Sequence, residues 1–325
     1  MRLATVLTPM SDENLALAHQ CGVTDFVTRY PGSKLADLRA VQARAERFGL
    51  QVSVIEGYLP IENIKVGLDD GTEIEQMKSL VRNMGQAGVP VLCYNFMAGT
   101  DWVRTRLDAP ERGGARVTAF ELEDVEQAIL LGHDGAGTVD APAADPIVAE
   151  ALWKHLEMFL HELVPVAEEH GVVLAMHPDD PPLPIFLGKA RIMNSLEGFE
   201  RLVNTVPSKS NGVCFCQGTF AEMGVDIPQA IQQLGGHIHY VHFRDVRGSA
   251  ESFAETFHDN GPTDMVKAVQ TYHEVGFAGP IRPDHVPQLV GEDDGEPGYT
   301  MKGRLFAYGY LRGLIQAAAQ HDGQL

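Results

Sequence analysis

The chain has 325 residues, 44% of them hydrophobic, which is ample for one large core. Its 25 basic and 44 acidic residues leave a formal net charge of −19, which excludes a general phosphate-neutralising surface and with it a nucleic-acid partner. Four cysteines make no extracellular framework at this length, and no apolar run reaches transmembrane length, so no membrane partner is expected. The short apolar run after Arg2 turns polar at Ser11-Asp12-Glu13, too soon for a signal peptide. The expectation is a soluble, cytoplasmic protein with reduced thiols.

Short β-branched or apolar runs bounded by Gly, Pro or charge predict strands over 3–7, 23–28, 51–55, 89–94, 172–176, 212–216, 238–242 and 280–282. Continuous apolar runs of this kind suit parallel strands buried on both faces. Apolar residues at helical spacing predict helices over 33–48, 72–87 and 153–170, ending at Gly49, Gly88 and Gly171, with a kink at Pro165. A last helix over 304–319 should close the fold. Strands alternating with helices point to an α/β protein, a (β/α)8 TIM barrel. An open doubly wound sheet would bring a glycine-rich phosphate loop after an early strand, and the sequence has none.

The rhythm breaks between strands 4 and 5. An insertion of about 97–150 is expected over the barrel mouth, within a single catalytic domain of 1–325. In it 108–116 is charged and glycine-rich, 118–131 reads as partly helical, and 132–146 as a loop.

Four consecutive predicted strands end in polar residues. Val172–Met176 runs into His177-Pro178-Asp179-Asp180-Pro181-Pro182, where proline forbids further pairing. The next three end at Cys216, at His242 and at Asp284-His285. Barrel active sites lie at this C-terminal face, so His177, Cys216, His242 and Asp284 read as one metal site. Each alone would be weak evidence; their shared position at successive strand ends is the signal. Cys214 lies on the same face two residues back, a layer deeper. Two imidazoles, a thiolate and a carboxylate leave Zn²⁺, Fe²⁺, Co²⁺ and Mn²⁺ open.

The sequence resembles the mannonate dehydratases of hexuronate breakdown. The motifs are Tyr94-Asn95-Phe96-Met97, Asp101-Trp102-Val103-Arg104-Thr105, His177 through Pro182 with Pro184-Ile185-Phe186, and Phe215-Cys216-Gln217-Gly218-Thr219. They continue with His242-Phe243-Arg244, Phe253, His258-Asp259, Arg282-Pro283-Asp284-His285 and Pro297-Gly298-Tyr299, in the family's order along nearly the whole chain. The resemblance implies a xylose-isomerase-like barrel, Mn²⁺ on His177, Cys216, His242 and Asp284, and an acid–base pair of His285 and Tyr299. It also implies that Asn95 meets the substrate. The sequence departs from the family pattern at Ala98-Gly99-Thr100, at Leu183 for Trp, at Asp245 for Asn and at Thr300 for Gly. Asp245 and Thr300 are the departures expected to bear on the substrate pocket.

The implied reaction is the dehydration of D-mannonate to 2-keto-3-deoxy-D-gluconate. A sugar acid offers its carboxylate and C2 hydroxyl as a chelate to the metal, which stabilises the enediolate formed as the C2 proton leaves. One of His285 and Tyr299 takes that proton and the other protonates the departing C3 hydroxyl. Arg104 and Arg244 are candidates for the substrate carboxylate, or for internal salt bridges. His258 and Asp259 are candidates for sugar hydroxyls, or for an ordinary polar loop. Lys65 is a candidate for the mouth lining. Asp179 and Asp180 either orient the histidines or stiffen the turn. The rival readings are a metal-dependent sugar isomerase or epimerase of the same fold, a DNA-cleaving barrel, and a non-catalytic sugar-acid or metal sensor. Cys216 argues against the first and net charge against the second. The small-molecule partner is a sugar acid; a homo-oligomer stays open.

Overall fold

Eight parallel strands close into a barrel in the computed structural model, which describes residues 1–131, 137–138 and 146–320. They are β1 (Arg2–Thr5), β2 (Asp25–Thr28), β3 (Gln51–Glu56), β4 (Val91–Tyr94), β5 (Val173–Met176), β6 (Asn211–Cys216), β7 (Ile238–Phe243) and β8 (Pro280–Pro283). Each pairs with its neighbour in the chain, and β1 closes on β8 through Arg2 opposite Pro280 and Leu3 opposite Ile281. All eight predicted strands are present, with ends shifted by at most two residues.

Period-two alternation builds the two faces of the barrel wall. Val27, Val54, Val91, Cys93, Ala175, Cys214 and Tyr240 fill the interior. Phe26, Ile55, Leu92, Leu174, Met176, Phe215, Val241 and Ile281 point outward into the layer shared with the helices. The helices answer with single apolar faces. Thr72–Ala87 buries Met77, Leu80, Val81 and Met84 and stops at Gly88, whose φ of 71° is readily reached only without a side chain. Ala149–His170 buries Leu152, Leu156, Phe159, Leu160 and Leu163 and continues as a helix on both sides of Pro165. The last helix, Met301–Gln320, packs Ala307, Tyr308 and Leu311 against the barrel. Among the described residues no helix is long and apolar enough to cross a membrane.

Between β4 and β5 the chain forms small antiparallel sheets. Arg106–Pro110 pairs with Arg116–Glu121, which pairs with Ser252–Glu255 from the connection after β7, and that strand with Val246–Ser249. Val103–Arg104 pairs with Ile129–Leu130. The partly helical reading of 118–131 holds for a 3-10 stretch, Leu122–Gln127, set between a strand that ends at Glu121 and a second short strand. Ala119 and Phe120 are buried against cross-strand partners, so tertiary pairing overrides the local pattern. The predicted loop 132–146 lies outside the described residues except at 137–138 and 146.

Candidate active site

The strand register sets the site. Cys216 stands opposite His242, and His242 opposite Arg282, so Asp284 emerges two residues above Arg282 on the same side. His177 follows β5, its N–H donating to the Tyr94 carbonyl (2.7 Å). Donor atoms of His177, Cys216 and His242 lie within 4.8 Å of one another, and Asp284 Oδ2 lies 3.6 Å from His242 Nδ1. Three of the four predicted strand-end residues thus cluster, and Asp284 stands beside His242 while also paired with Arg282 (2.5 Å) and Arg244 (3.2 Å).

Hydrogen bonds define which imidazole atoms face inward. His177 Nδ1 lies 2.7 Å from the Pro178 carbonyl, and His242 Nε2 lies 3.0 Å from Glu56 Oε2. Both acceptors require a proton on those nitrogens. This leaves His177 Nε2 and His242 Nδ1 as bare lone pairs, 3.1 Å apart. Two lone pairs facing each other beside a sulfur and a carboxylate are a donor set that fits a divalent cation. Burial alone would raise the Cys216 thiol, but Arg244 and His242 more than offset it and hold the group below its usual value. A second group, Cys93, Cys214 and His242, lies deeper in the barrel; burial pushes both of its thiols up, so it suits the ion less well.

Glu56, at the end of β3, ties the floor together. Its Oε2 accepts from Tyr240 (2.8 Å) and its Oε1 from Arg282 Nη2 (2.9 Å) and Arg29 Nη1 (2.7 Å). Burial would raise Glu56 and Asp284. Arg282 leads the charges that instead hold both well below the usual carboxylate range.

A cleft with about 60 Å³ of water-accessible space opens above this floor. His285 and Tyr299 face it, with ring centroids 5.6 Å apart. The Trp102 ring stacks on His285 at 4.1 Å. His285 Nδ1 lies 2.8 Å from Glu255 Oε1 and 3.4 Å from Arg104 Nη2. A guanidinium can only donate and an ionised carboxylate can only accept, so the shorter Glu255 contact puts the proton on Nδ1. His285 Nε2 is then the acceptor nitrogen, 3.6 Å from Asp284 Oδ1. Tyr299 is delivered by the Pro297-Gly298 turn. Gly298 has φ of 78°, and a Cβ there would stand 3.5 Å from Trp102 and 3.7 Å from His285. Burial, then Asp284, raises the Tyr299 phenol well above its usual value, so it keeps its proton.

The remaining predicted residues divide. Asn95 lines the cleft, with Oδ1 accepting from Lys65 Nζ (3.1 Å); Lys65 is buried behind it. Arg104 and Arg244 do not line the cleft. Arg104 is buried on Asp180 (2.6 Å) and Glu255 (2.6 Å), and Arg244 on Asp180 (2.9 Å), Glu222 (3.0 Å) and Glu255 (3.2 Å). Of the two readings made from sequence, these contacts match internal ion pairing. His258 is fully buried under Phe243, away from the cleft. Asp259 faces Arg112 through paired contacts of 2.8 and 2.9 Å at the surface. Neither is among the residues that line the cleft. Asp180 pairs with the two arginines, and Asp179 Oδ2 accepts from the Met193 N–H (2.7 Å).

The departures from the family pattern are structural. Asp245 accepts from the Thr263 N–H and hydroxyl (both 2.7 Å), Thr300 donates to the Pro287 carbonyl (3.4 Å), and Leu183 packs among Val103, Phe120 and Phe253. Arg29 and Glu56 went unassigned from sequence, although both stand at predicted strand ends and the rule that found His177 reaches them. Glu255 carries no local signal.

The chain from residue 12 to 324 matches the family model described as D-mannonate dehydratase (UxuA). The mannonate dehydratase of Oceanobacillus iheyensis is 35% identical over 302 residues, covering 88% of this chain and 86% of its own. That of Streptococcus uberis is 34% identical over 304 residues, covering 87% and 86%. The crystal structure of mannonate dehydratase from Streptococcus suis serotype 2 superposes with a TM-score of 0.85 at 30% identity, covering 99% of this chain and 96% of the other. A xylose isomerase domain protein from Planctomyces limnophilus, at 14% identity and a TM-score of 0.63, shares the fold alone. Because the match runs through every strand that contributes to the cleft, this chain belongs to the D-mannonate dehydratase family.

Proposed function

We propose that the protein is a hydro-lyase that converts D-mannonate to 2-keto-3-deoxy-D-gluconate and water. The observation that carries the reading is that His285 and Tyr299 share one cleft with the proposed ligands His177, His242 and Asp284, the fourth, Cys216, clustering with His177 and His242. Those four residues would hold a divalent ion, with Mn²⁺ the expected metal and Fe²⁺, Co²⁺ and Zn²⁺ its alternatives. When bound, the ion would chelate the substrate's carboxylate and C2 hydroxyl and make the C2 proton more acidic.

The chain's own groups supply the proton transfers. His285 Nε2, left bare by the Nδ1 contact to Glu255, suits the base that takes the C2 proton. The protonated Tyr299 hydroxyl suits the acid that delivers a proton to the departing C3 hydroxyl, which leaves as water. The C2–C3 enol so formed gains a proton at C3 and loses the one on its C2 hydroxyl, becoming the 2-keto acid. Trp102 and Gly298 hold both rings at the cleft wall. The isomerase and epimerase alternative is not favoured, because the relatives at 33–35% identity are named mannonate dehydratases.

The test is turnover of Mn²⁺-loaded protein on D-mannonate and D-gluconate separately, followed as 2-keto acid. Product from mannonate alone is expected. Product from neither, with metal bound, would sink the reading.

A further inference from the structure

We propose that Arg29 is the residue that takes the substrate's carboxylate and so sets the preference for a sugar acid over an uncharged sugar. The inference rests on the reading above of the protein as a sugar-acid dehydratase. The cleft is lined by Glu56, Asp101, Asp180 and Asp284, an acidic surround in a chain of net charge −19. An anion entering it needs a cation with donors to spare. Among the described residues the arginines and lysines lining the cleft are Arg29 and Arg282.

Arg282 has none to spare. Its Nη1 meets Asp284 (2.5 Å), its Nη2 meets Glu56 (2.9 Å), and its Nε donates to the Tyr240 hydroxyl (2.7 Å). Arg104 and Arg244 are fully buried against carboxylates and lie off the cleft.

Arg29 differs on each count. Its side chain is 28% exposed, and it meets one carboxylate, Glu56, through Nη1. Nη2 has the Tyr299 hydroxyl at 3.5 Å, a contact too long to hold it against a charged acceptor. The guanidinium carbon lies 5.2 Å from the Tyr58 ring centroid and 5.8 Å from that of Tyr299, so two aromatic walls orient the fork. Glu56 also joins Arg29 to His242, so the open edge of the guanidinium borders the same part of the cleft as the imidazole cluster. A carboxylate there would find a planar pair of donors on one side and the ligand cluster on the other.

The test is equilibrium binding to metal-loaded protein carrying His285→Asn, which suppresses turnover, with and without Arg29→Gln. D-mannonate and its uncharged amide are compared by calorimetric competition, and metal content is measured in both proteins. Losing a charge-assisted fork should weaken mannonate by about 10- to 100-fold, with amide affinity and metal content unchanged. Unchanged mannonate affinity would overturn the assignment. Equal losses for acid and amide, or loss of metal, would overturn it in favour of a role through Tyr299 or Glu56. If the parent protein binds no mannonate, the dehydratase reading itself fails, and this inference with it.

Discussion

His285 Nδ1 lies 2.8 Å from Glu255 Oε1, although Glu255 belongs to the strand Ser252–Glu255 and not to the barrel. That strand pairs with Arg116–Glu121, from the segment between β4 and β5. The tautomer of a cleft imidazole is therefore set by the sheet over the mouth. Glu255 serves this role as an anion: burial would raise it, but Arg244, His285 and Arg104 hold it at about 2.

Glu255→Gln should lower turnover by at least about 10²-fold while metal content is retained, because a neutral amide no longer selects the Nδ1 proton. It should also cost about 3–5 kcal/mol in urea unfolding, since Arg104 and Arg244 lose a buried counter-charge. Near-normal turnover would detach Glu255 from the chemistry.

Cys216→Ser should lose most bound metal and turnover, measured by elemental analysis and a 2-keto acid assay. The circular dichroism spectrum should be kept, because the barrel packs through the apolar residues of its strands and helices. Full metal content in the variant would remove the thiol from the ligand set.

His285→Asn and Tyr299→Phe should each keep metal and lose about 10²–10⁴-fold in turnover. Metal loss in either would move that residue among the ligands. A near-normal rate would remove it from proton transfer.

Asp259→Asn should leave turnover within about threefold of the parent, since its carboxylate meets Arg112 and not the cleft. Exposed pairs of this kind contribute about 0–1 kcal/mol, so stability should fall no further than that. A large rise in KM for mannonate would restore the role expected from sequence.

His239, near the start of β7, is held neutral by burial, with the His237 charge as a smaller cause, and its pKa falls from 6.5 to about 4. A folded value below the unfolded one means stability is fully present above about pH 6.5 and is lost as pH falls toward 4. The loss should be on the order of 2–3 kcal/mol. Urea midpoints at pH 7 and pH 5 should differ less in His239→Gln than in the parent. An equal difference in both would rule His239 out as the source.

The barrel and its metal-ligating candidates were legible in the sequence for a local reason. A strand exposes alternate residues to one face, and a parallel barrel places all its strand ends at one mouth, so His177, Cys216, His242 and Asp284 could be read from position alone. His285 followed from adjacency to Asp284, and Tyr299 from the family motif. The arginines could not be read this way. Arg104 meets Asp180 76 residues away and Glu255 151 residues away, and nothing near Arg104 in the chain distinguishes it from the half-exposed Arg29. Whether a guanidinium is saturated or open depends on carboxylates delivered by distant strands. The burial of His258, the outward turn of Asp259 and the grip of Glu255 on His285 have the same origin. Periodicity along the chain determined which residues reach the mouth of this barrel; long-range pairing of charge, formed only on folding, decided which of them remain free to meet a substrate.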